Sequence, residues 1–302
     1  MPDGNDRSDV SPPKRVQREG GAKGDDSAGV QSSSALTCPR RTPPSRRRRV
    51  LSVWRRHFTV YTRSIVSNAT PAVFEPILLL LSVGLGVGKH VATQFNGLPY
   101  DAYMAPGILA SATLFTASWE TTYGTFIRHR FQGTYEAMLA SPLTIRDIVM
   151  GEMLWAASKG LLFSTLIALV LTTLGFVHSP WAFAIPVFGF LNSLTWAGVG
   201  LAVSSRVKNI EHLQLYFTLA LTPMVFFSGF MFPVAQLPAP LPAIAQCLPM
   251  YHAVETFRLM ASGSEHVSTS WSWQCPLILV GFAVVCAVIG GLSFERRMLR
   301  DR

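Results

Sequence analysis

Residues 275–294, CPLILVGFAVVCAVIGGLSF, run for the thickness of a bilayer without one charged side chain and stop at ERRMLRDR. An apolar run of this length reads as a membrane-spanning helix, because hydrocarbon offers backbone N–H and C=O groups no partner outside the chain itself. Five further stretches come near the same length, at 68–88, 104–125, 148–177, 181–203 and 212–232. The stretch 148–177 is long enough to tilt or protrude. The chain therefore reads as an all-α integral membrane protein with six transmembrane helices. Composition agrees: 49% of residues are hydrophobic and 14% charged, with a mean hydropathy of +0.31, too apolar for an ordinary soluble domain.

The formal net charge of +9 would suit nucleic acid, but the positions of the charges argue against such a partner. In the six-span topology 23 of the 26 lysines and arginines fall on one side, Lys89 and Arg258 fall on the other, and Lys159 lies inside a span. This is the positive-inside pattern, and it sets both termini in the cytoplasm.

Residues 1–50 are rich in Ser, Pro, Gly, Arg and Asp. They cannot bury enough surface to offset chain entropy, so a disordered basic tail is predicted, with one transmembrane domain over 51–302. The tail has no apolar core of a signal peptide. In 51–65, Leu51, Trp54, Phe58 and Tyr61 recur at helical spacing with arginines elsewhere. That pattern predicts an amphipathic helix in the inner interface, with membrane lipids as partners of the preceding run Arg46, Arg47, Arg48 and Arg49. The segment 233–273 is too apolar for a free loop and too proline-broken for a span. It predicts two short helices, 239–248 and 253–261, dipping into the outer interface.

The most polar interruption is GTYEAMLASPLTIRDIVMGEMLW, 133–155. It predicts a short surface helix, a break at Ser141 and Pro142, and a new helix capped by Thr144 with Asp147 in place of the usual Glu or Gln. Tyr135, Met138 and Leu139 make a candidate apolar ridge toward a partner; Glu136, Arg146 and Asp147 could fix its register by charge. The same residues also read as a helix cap and a solvated face.

Ionisable groups inside spans are functional candidates by default. Glu75 and Glu120 lie about 11 and 8 Å from the cytoplasmic ends of their spans, and Lys159 about 16 Å. Either these three belong to a substrate path or they pair within the membrane, and Arg128 or Arg130 would serve Glu120 equally well. On the outer segment, His252 and Glu255 have a spacing that suits a metal, but no third ligand follows. A Glu255–Arg258 pair within one helix is the simpler reading. GLGVGKH (84–90) lacks the register of a phosphate loop, and no nucleophile elbow or zinc motif occurs, so no enzyme active site is indicated. Cys247 and Cys275 both lie toward the outer face, where a disulfide is chemically possible; two unpaired thiols are the reading adopted.

FEPILLLLSVGLGVG (74–88), SWETTYGTF (118–126), YEAMLASPLTIRDIVMGEMLWAASK (135–159), FFSGFMFPVAQLP (226–238) and LPMYHAVETFRLMASG (248–263) together resemble the permease subunit of type-2 ABC exporters. The likeness is nearest to the nodulation protein J branch, the membrane half of a lipochitooligosaccharide exporter. It covers 51 to the C-terminus and leaves 1–50 without a counterpart. The resemblance implies a bacterial inner-membrane permease that pairs with a second copy and is held by a separate ABC ATPase. That partner would bind ATP and Mg, leaving no cofactor in this chain, and 127–147 would supply the coupling helix. An amphiphilic lipooligosaccharide or glycolipid-like substrate is expected, with drug efflux as the alternative within transport. A membrane-bound acyltransferase or a simple anchor is the rival class; an acyltransferase would need converging catalytic groups that this sequence does not provide.

Overall fold

A computed structural model describes residues 44–83, 86, 95, 97–177, 179–263 and 273–300. Helix α1, Arg46–Arg63, meets α2, Ile65–Ser82, at Ser64, where the backbone leaves helical geometry. The next helix is α3, Tyr100–Trp119; it continues through the π-helical turn Glu120–Gly124 into α4, Thr125–Arg130. After Gly133, which adopts a left-handed conformation at φ +57, comes the short α5, Thr134–Leu139. Helix α6, Ile145–Thr173, and α7, Ile185–Ser204, follow. Then α8, Glu211–Leu215, and α9, Thr222–Val225, run on with the π-helical stretches Tyr216–Leu221 and Phe226–Phe230 as one helix that breaks at Ser228 and Gly229. The chain ends with α10, Leu241–Gln246, α11, Pro249–Ser262, and α12, Gln274–Arg300. Among the described residues every regular element is helical.

Among the described residues, four helices are long and apolar enough to cross a bilayer: Ile145–Thr173, Pro180–Ser204, Glu211–Phe230 and Gln274–Arg300. Their side chains follow the logic of lipid, not of water. On α12, Leu277, Val280, Val284, Val288 and Leu292 point outward at helical spacing, the reverse of a soluble helix. Small residues let the rods approach. A β-carbon at Gly160 would overlap Ser193, and one at Gly198 would overlap the backbone at Cys286 on α12. Polar side chains then bind the rods across the dry contacts. Asn192 Nδ2 donates to the Ala110 carbonyl at 3.1 Å and to Thr113 Oγ1 at 2.9 Å, while Trp196 Nε1 donates to Asn192 Oδ1 at 3.0 Å.

The structure corrects the sequence reading in two places. Arg46, Arg47, Arg48, Arg49 and Val50, assigned above to the tail, form the first turns of α1, and Val50 is buried. The second outer helix, expected over 253–261 at an interface, is instead enclosed by protein. From Met250 to Ala261 every residue of α11 is buried, and Met250, Val254 and Phe257 join the main apolar core with Tyr103, Leu109, Leu114, Trp196 and Leu221. Its two-sided apolar surface needs protein on all sides. Residues 1–43 of the tail, and GLGVGKH apart from Gly86, lie outside the described residues.

Candidate functional site

Six polar and ionisable side chains from five segments gather beside α5. Glu120 opens the π-helical turn after α3, a geometry with one extra residue per turn that recurs at functional positions. Lys159 Nζ on α6 donates to Glu120 Oε2 at 2.9 Å. Two turns further on, Arg128 folds back along its own helix. Its Nη1 donates to Glu120 Oε1 at 2.8 Å and its Nη2 to Glu152 Oε2 at 2.7 Å. Gly124 leaves the room for this, since a β-carbon there would stand 3.1 Å from Arg128 Nη2. From α5, Tyr135 Oη donates to Glu152 Oε1 at 2.8 Å. From α1, His57 Nε2 lies 3.0 Å from that same oxygen but off the axis a hydrogen bond requires, so this contact is one of proximity. The His57 ring stacks on Trp155 with centroids 6.1 Å apart.

This lattice is nearly dry. The Glu152 side chain is 0% exposed, and those of Glu120, Arg128 and Lys159 are 13, 14 and 13% exposed. Two carboxylates balance two cations, which is the condition for burying any of them at tolerable cost. Burial works against the charge on Arg128, but Glu152 and then Glu120 more than offset it and hold the guanidinium above its ordinary value. Burial, then Glu152, push the Tyr135 phenol up, so it stays a donor. His57, Glu120 and Glu152 do bring three potential metal ligands within 4.8 Å of one another. Arg128 and Lys159 already supply the positive charge a metal would bring, so the cluster is an internal ion-pair lattice.

A second tie joins α1 to α6. Thr144 and Asp147 form the capping box expected from the sequence: Asp147 N donates to Thr144 Oγ1 at 3.3 Å, and Thr144 N to Asp147 Oδ2 at 3.0 Å. Arg49 lies 3.1 Å from the same carboxylate. Hence α1 is tied to α6 by the ion pair at Asp147, with His57 lying close beside Glu152 further along.

The ridge proposed for a partner turns inward instead. Tyr135 and Met138 are buried, packed with Ile148, Met153, Leu201 and Phe294, and Leu139 is partly buried against the same cluster. The short helix has a single apolar face, and the chain's own core takes it. Glu136 faces outward, as does Phe131, 70% exposed between α4 and α5. Arg146 reaches Glu295 on α12 at 2.7 Å. Glu120 and Lys159 do meet, and Arg128, not the exposed Arg130, completes the set. Glu75 stands apart, exposed on α2. At the far end Arg258 is fully buried; it pairs with Glu255, donates to the Gly229 carbonyl at 3.0 Å and covers the Tyr103 ring at 4.0 Å. It thus pins the break at Gly229, φ +78, and engages the Glu255 carboxylate as the intrahelical pair read from the sequence. His252 faces the Gln246 carbonyl at 2.9 Å. Cys247 is an exposed free thiol, so it forms no disulfide with Cys275.

Sequence reasoning passed over Glu152 and His57. Glu152 is seven residues before Lys159 and therefore on the same helical face, a signal that was available. Nothing in the sequence points His57 or Tyr135 toward it.

Residues 48–260 match the family model of the ABC-2 type transporter. Nodulation protein J of Sinorhizobium fredii (strain NBRC 101917 / NGR234) is 36% identical over 209 residues, 69% of this chain and 79% of its own length. Nodulation protein J of Rhizobium leguminosarum bv. viciae is 34% identical over 255 residues, 83% of this chain and 95% of its own. The probable multidrug ABC transporter permease YbhR of Escherichia coli (strain K12) is 24% identical over 192 residues, 61% of this chain and 50% of its own. With four helices of bilayer length among the described residues, this is a multi-pass membrane protein. The chain belongs to the ABC-2 type transporter family.

Proposed function

We propose that this chain is the membrane half of an exporter in the bacterial inner membrane, with six spans, both termini cytoplasmic and a second copy of itself as partner. A separate ABC ATPase binds ATP and Mg and drives it. The observation that carries the reading is Arg128, whose guanidinium joins Glu120 at the end of α3 to Glu152 on α6, while Tyr135 of α5 holds the same Glu152. A push on α5 therefore reaches two long helices through charge-assisted hydrogen bonds, without a flexible loop between. In this reading 127–147 is the coupling segment. Tyr135, Met138, Leu139 and Asp147 fix its seat, Arg146 ties it to α12, and Glu136 with Phe131 meets the ATPase. Glu120 and Lys159 belong to the lattice; Glu75, exposed on α2, is the group left to face cargo or the second copy.

The cargo proposed is an amphiphilic lipooligosaccharide or glycolipid-like molecule, in line with similarity to nodulation protein J over most of the chain. Likeness to a probable multidrug permease supports drug efflux as the second reading. The docking part is tested by capturing the purified ATPase on the full-length permease. Phe131→Ser with Glu136→Ala should leave the permease inserted and abundant but reduce capture at least about tenfold, the loss expected when an apolar anchor and its charge are both removed. Unchanged capture would remove 127–147 from the interface.

A further inference from the structure

We infer that α1 carries a binding surface for anionic phospholipid headgroups, formed by Arg48, Arg55, Arg56 and Arg63. At 3.6 residues per turn these four fall within roughly 100° of the helix circumference. All four are exposed, and none has an ionic partner among the described residues. The opposite face is committed to protein, with Val50, Val53, His57 and Tyr61 buried. Ser52 and Thr59, which share the basic sector, spend their hydroxyls on the carbonyls of Arg49 and Arg55 at 2.6 and 2.9 Å. The arginines are thus the groups left to meet a ligand.

Two further features select lipid. Leu51 and Phe58, 54 and 46% exposed, border the basic sector, and Phe58 stacks on Trp54 at 5.3 Å. An exposed apolar strip beside an arginine strip is the cross-section of a helix lying in a membrane interface. And α1 has no acidic side chain of its own to screen that charge. The inference deepens the inner-leaflet orientation proposed above by naming the lipid class. It also gives that lipid a consequence, because the same helix pairs with Asp147 through Arg49 at the edge of the basic sector and brings His57 beside Glu152 from its opposite face.

The test uses the full-length permease alone, in bilayers of equal parts phosphatidylglycerol and phosphatidylcholine, so it does not depend on transport, ATPase or orientation. Lipid retained after mild detergent extraction and washing is quantified by mass spectrometry. Phosphatidylglycerol should be enriched at least about threefold over input, and the enrichment should fall in about 0.5 M salt as headgroup charges are screened. Combined Arg48→Gln, Arg55→Gln and Arg63→Gln should bring the ratio to that of the input, while the corresponding lysine variants, which keep charge and fold, should retain it. No enrichment in the natural chain, or enrichment undiminished in the glutamine variant, overturns the proposal.

Discussion

Replacing Arg128 with glutamine removes the cation that touches both carboxylates of the lattice. Glu120 keeps Lys159 at 2.9 Å. Glu152 keeps only the Tyr135 hydroxyl and the off-axis His57, and its side chain is 0% exposed, so water cannot take over. Stranding a buried charge in this way costs about 3–5 kcal/mol. We place Arg128→Gln near the lower end, about 3 kcal/mol, because the guanidinium is 14% exposed and part of its contribution is screened. Glu152→Gln should cost less, since Arg128 retains Glu120. The informative variant is the double substitution, which removes both charges and leaves two amides within hydrogen-bonding reach. If the ion pair is direct, the double variant should be less destabilised than the sum of the singles by about 1–3 kcal/mol. Equilibrium unfolding of the detergent-purified protein, followed by tryptophan fluorescence, measures all three. Additivity within about 0.5 kcal/mol would refute the pairing and with it the path from α5 to α6.

Three further outcomes follow from the same geometry. Tyr135→Phe keeps the ring in its apolar seat and deletes one hydrogen bond to a carboxylate, so it should cost about 1.5–3 kcal/mol in the same unfolding assay, with insertion unchanged. Thr144→Val removes the hydroxyl of the capping box at the start of α6 and should cost about 1 kcal/mol, with a larger loss of ATPase capture than of membrane abundance. Gly198→Val puts side-chain atoms where the backbone of α12 lies; overpacking of about 1–3 kcal/mol or more should appear as a sharp fall in monodisperse protein by size-exclusion chromatography.

The parts of this molecule that obey a one-dimensional rule were legible in its sequence. Apolar runs of bilayer length set the four long helices, and a threonine three residues before an aspartate announced the cap of α6. Pairing of Glu120 with Lys159 was one of two readings offered, because a charge buried in an apolar helix is tolerated when an opposite charge neutralises it. What escaped was set by facing. Tyr135 and Met138 show the same periodicity whether their helix presents them to a partner or to its own core, and only packing against Phe294 and Leu201 decides. Helix α11 escaped for the same reason. Its apolar residues fit an interfacial helix as well as a buried one until Arg258 is seen wholly inside, bound to the Gly229 carbonyl. His57 was invisible because it joins Glu152 across nearly a hundred residues of chain, through a helix whose register no local pattern fixes.

Coupling through Arg128 is tested most directly by transport per ATP in proteoliposomes that contain the permease with its ATPase. Arg128→Gln should assemble with the ATPase and hydrolyse ATP at the basal rate, yet move cargo at least about tenfold less per ATP, the equivalent of about 1.4 kcal/mol lost between the two events. Transport per ATP equal to that of the natural chain would contradict the coupling role of the Glu120–Arg128–Glu152 lattice.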